Sequence, residues 1–71
     1  MEMTKKVLQG VCKQHSLYRT PHLNDKLYLN FQGFMKIENL EAYTGLKALF
    51  LEGNALATLE GLPPLEELKC L

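Results

Sequence analysis

From Leu46 to Leu56 the chain places leucines at 46, 49, 51 and 56 and an asparagine at 54. Leu49 and Leu51 alternate about Phe50, so a strand here sends the two leucines to one face and Phe50 to the other. Asn54 ends that strand, and its short amide can bond turn backbone that would otherwise be buried and unpaired. A shift of 22 residues brings Leu27 onto Leu49, Leu29 onto Leu51, Phe34 onto Leu56, Ile37 onto Leu59 and Leu40 onto Leu62. A third copy opens with Leu68 and Leu71. The pattern predicts short strands near 27–29 and 49–51. They should run parallel, because each unit returns the chain to the same side before the next strand begins.

The spacing L-x-x-L-x-L-x-x-N-x-L is that of a leucine-rich repeat. The expected fold is therefore α/β: a fragment of a leucine-rich repeat solenoid, with about two and a half 22-residue repeats behind an N-terminal capping helix. Residues 1–22 are expected to form the cap and connector, and residues 23–71 the repeats, cut open at the C-terminal end. The first repeat departs from the template twice, with Asn24 in place of the leading leucine and Gln32 in the asparagine slot. Terminal repeats are commonly atypical, and the longer Gln32 should make the polar ladder imperfect at that point. Ile37, Leu40 and Tyr43 recur every three residues, as do Leu59, Leu62 and Leu65. That spacing suits 3₁₀ or single α turns held by leucines buried between layers, and Pro63 is well placed to open the second of them.

From about Thr4 to about His15, Val7, Leu8, Val11 and Cys12 recur at helical spacing, with Lys5, Lys6, Gln9, Lys13 and Gln14 on the other side. Thr4 is the expected N-cap, although Lys5 and Lys6 sit badly against the positive end of the helix dipole. Gly10 weakens the helix by about 1 kcal/mol relative to alanine. This helix is the natural lid for the first repeat. Ser16 to Asp25 then reads as a connector, with Pro21 holding Thr20 extended and Leu17, Tyr18 and Leu23 as apolar anchors.

Composition adds little to this picture. With 71 residues, 46% hydrophobic and 23% charged, the chain is globular and at most one domain. The formal net charge of zero hides an asymmetry: Lys5, Lys6, Lys13 and Arg19 against Glu2 give residues 1–22 a net of +3, and the remainder carries −3. A net of +3 is too sparse a footprint for nucleic acid. There is no apolar run after a basic region to form a signal peptide, and no stretch near the ~20 apolar residues a membrane helix requires. Cys12 and Cys70 stand at opposite ends and build no disulfide framework, so reduced cytosolic thiols are expected.

Candidate chemistry is thin. Cys12-x-x-His15 with His22 nearby falls short of the four ligands of a zinc site, since Cys70 lies at the far end of the stack. A cysteine nucleophile with a histidine base lacks an oxyanion site, there being no Gly-rich loop before a helix. Neither an enzyme nor a cofactor is expected. The concave face is the stronger candidate. Lys26, Tyr28, Asn30, Ala48, Phe50 and Glu52 alternate with the core leucines, followed by Cys70 in the third copy. Tyr28 and Phe50 stand one period apart and should lie side by side as anchors of a protein-binding patch; lateral packing that merely stabilises the sheet is the alternative.

The 22-residue period with Ile37-Glu38-Asn39-Leu40 in the return segment resembles the short, regulatory type of leucine-rich repeat. The motifs Thr4-Lys5-Lys6, Val11-Cys12-Lys13-Gln14-His15, Leu17-Tyr18, Leu27-Tyr28-Leu29, Gly33-Phe34, Ile37-Glu38-Asn39-Leu40-Glu41 and Tyr43-Thr44-Gly45-Leu46 narrow this further. They resemble the start of the leucine-rich-repeat axonemal dynein assembly factors. The resemblance is close over residues 4–51; beyond, Gly61-Leu62-Pro63-Pro64 keeps only the generic pattern. It implies a non-enzymatic protein-interaction scaffold in the cytoplasm of ciliated cells, associated with the cilium or flagellum and monomeric at full length. Such a scaffold helps preassemble dynein arms with axonemal dynein chains and assembly chaperones as partners, and with neither nucleic acid nor membrane. The alternative is a leucine-rich-repeat regulatory subunit of another complex, a phosphatase regulator or a splicing-machinery subunit.

Overall fold

The structure, a computed structural model, describes residues 1–70. Leu71, where the third copy of the pattern sets its second leucine, lies outside the described residues. The chain runs through helix α1 (Lys5–Gln14), a 3₁₀ turn (Pro21–Leu23) and three short strands, β1 (Lys26–Tyr28), β2 (Ala48–Phe50) and β3 (Lys69–Cys70). The strands form one parallel sheet in the order β1-β2-β3. One helix over a small parallel sheet is compatible with a leucine-rich repeat.

Helix α1 begins where the sequence places it. Thr4 is extended, at φ −81° and ψ 163°, and its hydroxyl oxygen accepts the Val7 N–H at 3.1 Å. Leu8, Val11 and Cys12 are buried, and the lysines stay in solvent. At the other end Ser16 takes a left-handed φ of 56°. Its N–H donates to the Lys13 carbonyl at 3.2 Å and the Leu17 N–H to that of Cys12 at 2.8 Å, which is a Schellman closure built without glycine. The reversal at Ser16 sets His15 at the helix C-cap and turns the connector back along the helix.

The connector is held differently from the expectation. Leu17 is half-buried against the core, but Tyr18 and Leu23 are 61% and 52% exposed and anchor nothing with their side chains. The anchor is Asn24, 2% exposed. Its Oδ1 accepts the Tyr18 N–H at 2.8 Å and its Nδ2 donates to the Tyr18 carbonyl at 2.9 Å, so one amide holds both backbone groups of one residue. An asparagine in the leading leucine slot therefore exchanges apolar burial for a fixed connector.

β1 and β2 pair with Leu27 opposite Leu49 and Tyr28 opposite Phe50. The strands start one residue before the positions read from the leucines. The ladder is set by backbone: the Asp25 carbonyl accepts from both the Lys47 and Ala48 N–H groups, at 2.8 and 3.0 Å. Two further bonds continue past the strand ends, from Leu29 N–H to Phe50 and from Phe31 N–H to Glu52. Leu27, Leu29 and Leu49 have no exposed surface, and Leu51 is 7% exposed.

The return segments turn without forming helix. Tyr43 N–H donates to the Leu40 carbonyl at 3.0 Å and Leu46 N–H to that of Tyr43 at 3.4 Å. Ile37, Leu40 and Tyr43 are buried. In the second return Leu62 and Leu65 are only half-buried and Leu59 is 59% exposed, against the expected burial. No further layer stands over them among the described residues. Backbone conformation repeats with the sequence: Phe31 and Gly53 are both left-handed, at φ 55° and 76°, as are Asn39 and Gly61, at 64° and 97°. Each pair is separated by the same 22 residues as the leucines.

The sequence pattern passes over Met3. Its side chain is fully buried, and the Asn39 side-chain amide donates to its carbonyl at 2.9 Å, so the extended N-terminal residues complete the core.

Candidate protein-interaction face

Residues that alternate with the core leucines emerge on the other face of the sheet. Lys26 and Glu52 are exposed; Tyr28, Asn30, Ala48 and Phe50 are half-buried. The parallel register sets Tyr28 directly beside Phe50, and their rings stack with centroids 4.9 Å apart and planes 12° from parallel. His15 extends the row. Its ring centroid lies 4.9 Å from that of Tyr28 at 36°, so helix cap, first strand and second strand each supply one ring. Nothing in the residue pattern singles out His15 for this face. The signal lies in the helix end: a C-cap residue is carried back beside the first strand once the cap closes.

The turn after the strands fixes this face. Asn54 Oδ1 accepts the Gln32 N–H at 3.2 Å and the Phe34 N–H at 2.9 Å. Its Nδ2 donates to the carbonyls of Leu29 and Leu51, both at 2.8 Å. One side chain thus bonds four backbone groups across two successive turns. Gln32, in the equivalent slot, reaches only the Asn30 carbonyl at 3.3 Å, as its extra length predicts. Cys70 is exposed in the third strand, one residue after its start at Lys69, and partial burial of its thiol raises its pKa.

Cys12 and His15 do not converge. Cys12 is buried, with its Sγ 3.9 Å from the Tyr43 hydroxyl and 3.7 Å from Asn24 Nδ2. Burial raises the Cys12 pKa, and the Tyr43 hydrogen bond offsets part of the rise. A thiol held protonated is a poor nucleophile. Among the described residues no group of three or more His, Cys, Asp or Glu side chains is placed to hold a metal ion. No helix among them is long and apolar enough to cross a membrane.

No family model matches the chain, and no solved structure matches it. Several curated proteins do. The leucine-rich repeat-containing protein ODA7 of Chlamydomonas reinhardtii is 70% identical over 65 residues, covering 92% of this chain and 15% of the relative. Dynein axonemal assembly factor 1 of Homo sapiens is 67% identical over 49 residues, 69% of this chain and 7% of the relative. The homolog from Drosophila pseudoobscura pseudoobscura is 56% identical over 55 residues, 78% and 4% respectively. The chain therefore spans a small part of the length of the curated relatives it matches. At these identities over most of its own length, the chain belongs to the dynein axonemal assembly factor 1 family.

Proposed function

We propose that this chain forms the capped first part of a leucine-rich repeat solenoid, with residues 1–22 as the cap and 23–71 as repeats, and that it acts as a protein-interaction scaffold. The observation that carries the reading is the row His15–Tyr28–Phe50: three rings drawn from three elements, on the sheet face opposite the core leucines. Aromatic side chains aligned on a rigid sheet are good interface anchors, because little rotamer freedom remains to be lost on binding. Lys26 and Glu52 stand at its margins as exposed charges that orient a partner.

The relatives are named for assembly of axonemal dyneins. We assign this chain the corresponding role in preassembly of dynein arms in the cytoplasm of ciliated cells. It acts without catalysis or cofactor, as a monomer engaging dynein chains and their chaperones. The test is affinity capture of the full-length protein from ciliated cells. Tyr28→Ala with Phe50→Ala should lower recovery of dynein chains, since central aromatic anchors contribute about 2 kcal/mol or more each. Lys36→Ala, exposed and outside the strands, should change little. Undiminished dynein recovery by a folded double variant would remove the binding site from this face. Capture of phosphatase or splicing subunits instead would replace the dynein assignment.

A further inference from the structure

A second surface lies on the cap, away from the aromatic row. Lys6, Gln9, Gly10 and Lys13 fall at i, i+3, i+4 and i+7 of α1, which is one stripe of the helix. The connector returns alongside with Leu17 and Arg19, and together with Cys12 these residues enclose a groove of about 540 Å³. Gln9 Nε2 donates to the Arg19 carbonyl at 3.2 Å and ties the two walls together. Three cationic residues, Lys6, Lys13 and Arg19, thus share the lining with Gly10 and the half-buried, apolar Leu17. Among the described residues the one ion pair is Lys47 with Glu67, so these three cations have no acidic partner there.

Two residues of the stripe weaken the helix they belong to. Gly10 is an interior helix position, yet a Cβ built there meets nothing within 4 Å, so neither packing nor backbone conformation calls for glycine. Lys6 lies in the first turn, which carries no acidic residue, and opposes the helix dipole. Both choices make sense if something else comes close: glycine lets a ligand's backbone approach the helix, and the lysine meets its charge.

We propose that this groove binds an acidic peptide segment of a partner protein, with carboxylates on Lys6, Lys13 and Arg19 and an apolar side chain between them over Gly10 and Leu17. The apolar part of the lining favours a peptide over nucleic acid, whose phosphates would leave Leu17 unused. The proposal is independent of the aromatic face.

The experiment is fluorescence anisotropy with a short labelled peptide carrying glutamates on both sides of one leucine, with thermal melts run on each variant. The glutamine analogue of the peptide should bind at least about ten-fold more weakly, as expected for a charge-led contact. Gly10→Ala and Lys6→Gln should each raise the melting temperature and each weaken peptide binding several-fold. Tyr28→Ala with Phe50→Ala should leave the peptide's affinity unchanged. Equal binding of the acidic and glutamine peptides overturns the proposal, as does a stabilised Gly10→Ala variant with full affinity. Displacement of the peptide by a single-stranded oligonucleotide at lower concentration than by unlabelled peptide would make the surface a general anion site and overturn it too.

Discussion

Gly53 lies under the ring of Phe31, the residue one repeat period before it, and both hold a left-handed backbone. Phe31 is 72% exposed, so its ring gains little from burial and instead covers the turn below. A Cβ on Gly53 would enter that ring. Gly53→Ala is expected to destabilise the protein by about 1–3 kcal/mol, through the clash and the positive φ together. Denaturant unfolding of Gly53→Ala and of Gly53→Ala with Phe31→Ala, each against its own glycine parent, separates the two: without the Phe31 ring the clash is relieved and only the conformational cost remains.

Asn54 is the other residue on which the turn depends. Asn54→Leu leaves the Gln32 and Phe34 N–H groups and the Leu29 and Leu51 carbonyls without the partners they have now. Each buried polar group left unpaired costs about 1–3 kcal/mol, reduced where water can enter. A loss of at least about 2 kcal/mol is expected in chemical denaturation. Asn54→Asp retains both acceptor bonds and turns two donor bonds into oxygen facing oxygen, so it should rescue only part of the loss. Parent-like stability of Asn54→Leu would show that solvent serves these groups equally well.

Tyr43 gives the protein an alkaline limit. Burial, then the nearby Cys12 charge and hydrogen bond, push its hydroxyl up to about 12 from an ordinary 10.0. The folded state therefore holds this proton after the unfolded state has released it. Stability from Tyr43 is fully present below about pH 10 and is lost as pH rises toward about 12. The expected loss is on the order of 2 kcal/mol, and Tyr43→Phe should lose less over the same window. Urea midpoints measured across that range, with tyrosinate absorbance at each point, check the sign.

Much of the architecture is legible from leucine spacing, because a buried leucine every few residues leaves few ways to arrange the chain. The helix limits differ by one residue at each end from the pattern, and the strands by one residue toward the N-terminus. Leucines report which side is buried, and the strand bounds report backbone bonds that begin at Asp25, a residue with no pattern to mark it. Tyr28 and Phe50 are legible as neighbours because register follows from the period. His15 is not, since its place depends on a Schellman closure at Ser16, where the usual glycine signal is missing. Met3 escapes notice for a similar reason: an extended segment before a helix has no period to read. Hydrophobicity alone points to Tyr18 and Leu23 as anchors, while a polar side chain, Asn24, holds that segment.

The reach of Asn54 into the preceding turn also fixes an order of events when the protein is made. Ribosomal synthesis delivers residues 29–34 well before residue 54, and until it arrives the Leu29 carbonyl and the Gln32 and Phe34 N–H groups have only water for partners. Gln32 cannot close its own turn, since its amide reaches Asn30 alone. Until residue 54 has been made, the turn over residues 29–34 therefore lacks the side chain that closes it. Chaperone contact during that interval would meet the leucines of β1 before they have a sheet to enter.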